Sequence, residues 1–271
     1  MPIFDAERFL SETLGSIQEQ TFDDWRLYCH IAGATDKSEK IVRNFELDNP
    51  NKVQVLVSGF KVAPGISRNI LGTIAGGEYF VFWDSDDLHL PESLEQLLEA
   101  MPGGVAAHSD VSFIDASAVA SRDGRDIREN AARLRVDWSS RANVPGHIRR
   151  ASRKAPIRLG GSMVSREAFL AVGGFWAFEG GEDYSFWYKI SLFGRINHVP
   201  HALFKKRIHS SNLSGSPRRS VGNLRVMLLL GRLEMAGFKS NWRLLVLLAK
   251  GMIGILSKAH SSSSRDMYGH N

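Results

Sequence analysis

The chain has 271 residues, enough to bury one substantial core, and its 43% hydrophobic and 23% charged content marks a globular rather than a disordered protein. A single cysteine, Cys29, excludes an intramolecular disulfide and any cysteine-cluster metal site. The net charge of +5 is unevenly spread: Arg141 to Arg158, "RANVPGHIRRASRKAPIR", holds six Lys/Arg and no acid.

The N-terminus, "MPIFDAERFLSETL", turns helical and acidic rather than basic and then apolar. It does not read as a signal peptide, and a cytoplasmic protein is expected. Phe9, Leu10, Leu14 and Ile17 form the apolar stripe of a helix over Glu7 to Gln20. "WRLYCHI" predicts a strand, and "AGATDKSEKIVRNF" a turn feeding a second helix. "KVQVLVS" is a short β-rich run, and Gly65 to Ala75 reads as helix. "EYFVFW" predicts a buried strand, followed by a helix from Pro91 to about Ala100, and "VAAHSDVSFID" predicts another strand. Residues 118–158 show little periodicity and read as a long connection. Order resumes at "GGSMVSREAFLAVGGF", and "EDYSFWYKISLFG" has helical apolar spacing. Strands alternating with helices predict an α/β fold whose mainly parallel sheet is covered on both faces.

The basic run at 141–158 reads either as a solvated loop or as an attractor of phosphate on a nucleotide or a lipid headgroup. Aromatic interleaving of the kind used by single-strand binders is absent from it, so no nucleic-acid partner is expected. From Val221 to His260 the chain changes character, with two apolar helices, "LRVMLLLGRLEMAGF" and "WRLLVLLAKGMIGIL". Leu244 to Leu256 gives thirteen residues including Lys250, too short to span a bilayer. These helices either pack on the main domain or lie in a membrane surface with Arg243, Lys250 and Lys258 near headgroups. A main domain at 1–215 and a helical extension at 216–271 are the expected units.

The stretch "EYFVFWDSDDLHLPESL", Glu78 to Leu94, carries the chemistry. Its buried strand runs straight into Asp84, Asp86 and Asp87. Like charges so close repel unless something positive sits among them. One reading is a solvated turn ahead of a helix. The other is a divalent-cation site, placed where α/β sheets bind ligands, beyond the carboxyl ends of the strands.

Four segments, in this order, resemble the family 2 glycosyltransferases of the GT-A fold. "PIFDAERFLSETLGSIQEQTFDDWRL" is similar to that family's opening turn and helix. "GISRNILGTIAGGEYFVFWDSDD" resembles its Arg-Asn helix, Gly-Glu-Tyr step and metal-binding D-x-D. "GGSMVSREAFLAVGGF" with "GGEDYSFWYKI" resembles its Gly-Gly-Phe and Glu-Asp pair, and "RIHSSNLS" its closing Arg-x-His element. The resemblance covers about residues 2–214. It implies a metal-dependent, inverting transfer of sugar from a nucleotide-diphosphate donor to a hydroxyl acceptor, in cell-surface polysaccharide or glycolipid synthesis.

By that resemblance Asp86 is the principal ligand of Mn²⁺ or Mg²⁺, Asp84 contacts the ribose or the metal, and His209 joins the metal or the diphosphate. Asp87 assists from behind, and Lys205, Lys206 and Arg207 add charge for the leaving phosphate. Donor contacts are implied for Pro2, Phe4, Asp5, Glu7, Asp36, Arg68, Asn69, Asp84, Ser85 and Asp86. Asp183 is the implied base and Glu182 the residue that orients the acceptor, at a helix start that favours carboxylates. A UDP-sugar is the favoured donor, with GDP- or dTDP-sugars next, and the implied acceptor is a glycan or a lipid-linked glycan. Peripheral contact with the inner face of a membrane goes with such an acceptor.

The sequence departs from the family in two places. Met1 stands where the family's first hydrophobic strand ends, so a sheet lacking that strand is expected, with the natural chain starting upstream. "IAGATD" puts Ile31 and Ala32 where the family has acids that help hold the base, leaving Thr35 and Asp36, and Asp5 replaces the usual Asn. These departures define a rival reading: an idle GT-A module that binds sugar nucleotides or a partner without transfer.

Overall fold

The computed structural model describes residues 1–115, 157–177 and 182–209. The chain divides into two compact units, Met1–Val226 and Met227–Asn271, and every described residue lies in the first. The long connection and the basic run, apart from Ile157 and Arg158, and the apolar C-terminal helices expected from the sequence fall outside the described residues.

The order of elements is β1 (Pro2–Ile3), α1 (Glu7–Gln18), β2 (Leu27–Ala32), α2 (Ser38–Asp48), β3 (Val53–Ser58), α3 (Pro64–Ile74) and β4 (Tyr79–Val81). There follow β5 (Leu88–His89), α4 (Ser93–Glu99), β6 (Ala106–Asp115), β7 (Ser162–Ser165), α5 (Arg166–Ala171), α6 (Glu182–Phe193) and β8 (Ile196–Ile208). Strands β1, β2 and β3 pair in parallel, in that order. A second sheet has the order β4-β7-β6-β8-β5, in which β6 and β8 are parallel and the other pairs antiparallel.

The sequence leads us to expect the family's first strand, ahead of Pro2, to be missing; the structure has a two-residue strand, Pro2–Ile3, in register with His30 and Ile31 of β2. Beyond it, the amino-terminal part of β2 and the unpaired side of β4 border a cavity of about 660 Å³ lined by Met1, Leu27, Tyr28, Arg68, Tyr79 and Trp83, among others. The Met1 ammonium donates to the Tyr28 carbonyl at 2.7 Å, and burial lowers its pKa to about 6.

Helix α1 packs as its stripe predicts, burying Phe9, Leu10, Leu14 and Ile17. Leu10, Leu14 and Ile17 share a core with Ile31, Val42, Trp83 and Leu97. Removal of these side chains from water is the main stabilising term here. On the other side Phe80 and Phe82 meet Phe169, Phe175 and Phe186, with ring centroids from 4.3 to 6.4 Å apart and mostly tilted or edge-on. Those are the favourable arrangements of aromatic quadrupoles. Gly72 makes this packing fit, because a Cβ there would stand 2.4 Å from the Phe169 ring.

Strand β8 was not legible as a strand in the sequence, yet it runs thirteen residues and pairs with both β6 and β5. Its ladder with β6 shifts between Ser109, opposite Val199, and Asp110, opposite Ala202. Pro200 and His201 are the extra residues there, and proline, which has no N–H for a ladder, is tolerated at such a bulge. Past the bulge β8 carries Lys205 to Ile208 alongside the turn that follows β4.

Candidate active site

Strand β4 ends at Val81, and the chain leaves the sheet through Phe82 and Trp83 into the three aspartates. The carboxylates of Asp84, Asp86 and Asp87 offer ligand oxygens that all lie within 4.8 Å of one another. Asp87 is buried at 1% exposure and receives the Arg207 backbone N–H at 2.9 Å. Burial pushes its pKa up to about 7; Lys206, 3.8 Å away, pulls against that, while Asp84 and Asp86 add to the rise. That crowding fits a hard divalent cation, which takes oxygen ligands and relieves the repulsion among them.

The scaffold of the turn comes from distant parts of the chain. Thr13 of α1 donates its hydroxyl proton toward the carbonyls of Asp87 at 2.8 Å and Ser85 at 3.2 Å. Arg207 donates to the Asp86 carbonyl at 2.9 Å and to Glu12 at 2.8 Å. It was expected to supply charge to a leaving phosphate; instead it is fully buried and holds the turn from behind. His209 reaches the front, with Nε2 2.9 Å from Asp86 Oδ2 and its ring 4.8 Å from that of Phe9. Lys206 is partly exposed beside Asp87.

Arg68 and Glu182 complete the cluster. Arg68, on α3, donates to Asp84 Oδ1 at 2.6 Å and lies 3.6 Å from Glu182 Oε1. Both are nearly buried, at 4% and 3% exposure. Asp183, the next residue of α6, is half-buried. Asp84 and Glu182 therefore meet across one guanidinium.

The remaining donor-side candidates gather where β1 and β2 end. Asp5, at φ 44°, accepts the Thr35 N–H at 2.8 Å. Asp36 accepts the N–H groups of Glu7 at 2.8 Å and Ser38 at 2.9 Å, and Glu7 in turn accepts that of Lys37 at 2.9 Å. Burial would raise the Asp36 pKa, but hydrogen bonds from Ser38 and Glu7 outweigh it and hold the pKa below its ordinary value. These three acids thus lace the starts of α1 and α2 together. Phe4 is 39% exposed with the Lys61 ammonium 3.5 Å above its ring, and Pro2 lies in β1. Ser85 sits inside the aspartate turn. Asn69 stands apart: its carboxamide pairs with both backbone groups of Phe175, each at 2.8 Å.

Sequence reasoning missed Glu12, Thr13 and the Asn69 clamp. Thr13 carried a signal, since it is a polar residue on the apolar face of α1, where a buried hydroxyl needs partners. Glu12 looks like an ordinary surface residue until its partner, 195 positions away, is brought to it, and Asn69, expected at the donor, instead meets Phe175, 106 positions away.

The parallel and mixed strands flanked by helices, with an acidic turn beyond a strand end, define a GT-A-type α/β transferase fold. The chain belongs to glycosyl transferase family 2, whose model matches residues 1–173. It is 32% identical over 140 residues to an uncharacterized glycosyltransferase of Haemophilus influenzae, covering 51% of this chain and 53% of that one. It is also 33% identical over 96 residues to a poly(ribitol-phosphate) beta-glucosyltransferase of Bacillus spizizenii, covering 35% of this chain and 15% of that one. The chain thus spans about half, or less, of the length of these relatives. Among solved structures, TarS of S. aureus in complex with UDP-GlcNAc superposes with TM-score 0.64 at 17% identity, over 84% of this chain and 64% of that one. A Pyrobaculum calidifontis mannosyltransferase in complex with GDP-Man and Mn²⁺ gives 0.63 at 19%, over 100% and 74%. Among the described residues no helix is long and apolar enough to cross a membrane.

Proposed function

We propose that this chain transfers a sugar from a nucleotide-diphosphate donor to a hydroxyl acceptor with inversion, using a divalent cation at the aspartate turn. The observation that carries the reading is the convergence of Asp84, Asp86 and Asp87 within 4.8 Å, with His209 against Asp86. Asp86 and Asp84 would hold Mn²⁺ or Mg²⁺, with His209 beside them and Asp87 behind. When bound, the cation supplies Lewis-acid neutralisation of the diphosphate as it leaves. Lys206 adds positive charge on that side.

Asp183 is the base of the proposal. It takes the proton from the acceptor hydroxyl while that oxygen attacks the anomeric carbon opposite the departing phosphate. Its half-buried position suits a group that must reach substrate yet stay oriented by a helix start. Asp5, Glu7, Asp36 and Phe4 would form the rim on the nucleoside side. A UDP-sugar is the favoured donor and a glycan or lipid-linked glycan the acceptor, as in cell-surface polymer synthesis. Residues 1–215 would be the catalytic domain and 216–271 a helical extension that, with the basic run, rests on the inner face of a membrane.

The test is a donor screen with Mn²⁺ that scores nucleotide release across UDP-, GDP- and dTDP-sugars, with Asp86→Ala as control. Release from one donor class, lost on chelation and in Asp86→Ala, supports the reading. Binding of a sugar nucleotide without transfer to any acceptor would overturn it in favour of the idle module.

A further inference from the structure

Arg68 sits between two carboxylates that belong to opposite sides of the candidate site. Its Nη2 makes a short hydrogen bond to Asp84 at 2.6 Å, whereas its Nη1 faces Glu182 at 3.6 Å, a charge contact too long for a hydrogen bond. Nε and Nη1 are buried with no hydrogen-bond acceptor among the described residues. A guanidinium offers five donors in a rigid fork, so this one is firmly engaged on one side only. It also borders the cavity of about 660 Å³ and has the Phe175 ring 5.4 Å away, which leaves it room to swing.

We propose that Arg68 is a positioning residue that exchanges carboxylate partners, neutralising Asp84 before the cation site is filled and moving onto Glu182 once Asp84 turns to a divalent cation. The inference rests on the cation reading of the aspartate turn. Arg68 and a cation compete for the same Asp84 oxygens and repel one another in a poorly solvated place. A buried guanidinium cannot simply let go, because an unpaired buried charge is costly. Glu182, at 3% exposure, is the carboxylate within its reach. Closing the 3.6 Å gap then pairs Arg68 with the first turn of α6, which also carries Asp183.

A double-mutant cycle read by Mn²⁺ binding tests this, with free Mn²⁺ measured by electron paramagnetic resonance on the full chain and no substrate present. Arg68→Met is expected to tighten Mn²⁺ binding at least threefold by releasing Asp84. Glu182→Gln is expected to weaken it at least threefold, because Arg68 is then left with Asp84 alone. In the Arg68→Met background the Glu182→Gln effect should shrink below twofold. Arg68→Gln, which removes the charge but leaves an amide able to hydrogen-bond, carries the same cycle if Arg68→Met does not fold. Equal weakening by Glu182→Gln with and without Arg68 overturns the proposal, since Glu182 is then only a nearby negative charge. So does looser Mn²⁺ binding in Arg68→Met. Undiminished binding in Asp86→Ala removes the cation reading instead, whatever the cycle gives.

Discussion

Arg207 donates from Nε to the main-chain carbonyl of Asp86 at 2.9 Å. The same residue offers Nη2 to Glu12 at 2.8 Å and its backbone N–H to Asp87 at 2.9 Å, so β8 and α1 grip the acidic turn together. The Glu12 side chain is 49% exposed, and water can replace that part of the interaction. The fully buried side chain of Arg207 has no such relief. Arg207→Met is accordingly expected to destabilise by about 2–3 kcal/mol and to loosen the turn. Urea unfolding checks the first effect and Mn²⁺ binding the second. A loss below about 0.5 kcal/mol would mean that the turn holds itself.

The turn was legible because its signal is local: five apolar residues ending in "DSDD". The order of α1, β2, α2, β3 and α3 was legible for the same reason, since each has its own periodicity. Strand β8 was not, because Pro200 and two histidines interrupt its alternation and its identity depends on pairing with β6, whose partner residues lie 90 or more positions away. The role of Arg207 was hidden in turn. "KKRIH" reads as surface charge, and only the far end of β8 shows that Arg207 points inward while Lys206 stays at the rim.

Met1 gives a pH dependence whose sign can be worked out. Burial lowers its ammonium pKa from 8.0 to about 6 in the folded chain. Between these values the unfolded chain holds a proton that the folded chain releases, so stability rises with pH from about 6 to 8 and the penalty is complete below 6. A shift of that size corresponds to about 2–3 kcal/mol. The buried histidines His30, His89 and His108, whose pKa values are also lowered, bias stability in the same direction at lower pH. A comparison isolates Met1: the same chain extended ahead of it by four alternating apolar residues, able to lie as a strand in the cavity between β2 and β4. The extended chain should melt higher and lose the dependence between pH 6 and 8. An extended chain that melts no higher than the parent would show that the cavity does not accept a strand.

The basic run and the apolar C-terminal segment lead to an expectation about surfaces. Six Lys/Arg without an acid between Arg141 and Arg158 should attract anionic headgroups in a manner screened by salt. Sedimentation with phosphatidylserine-containing vesicles should therefore fall several-fold between low and high salt, and again on deletion of residues 241–271. Equal partition of the full and shortened chains would leave those helices as packing elements.

The last expectation separates an enzyme from an idle module and rests on Asp183. A base is needed where the acceptor oxygen gains charge, in the transition state, and contributes little to holding the donor. Its removal should depress turnover far more than donor affinity. General-base removal typically costs about 10²–10⁴-fold, so Asp183→Asn should bind the nucleotide-sugar nearly as the parent does yet transfer it at least about a hundredfold more slowly. The amide keeps the size of the carboxylate and its place in the first turn of α6, so a folding defect should not imitate the effect. Its neighbour Glu182 provides the contrast. Buried against Arg68, it should alter cation binding when changed to Gln, whereas Asp183→Asn should not. Stopped-flow transfer with the donor found in the screen, beside calorimetric donor binding, measures both quantities. If Asp183→Asn turns over like the parent, another residue is the base, with Glu182 the next candidate.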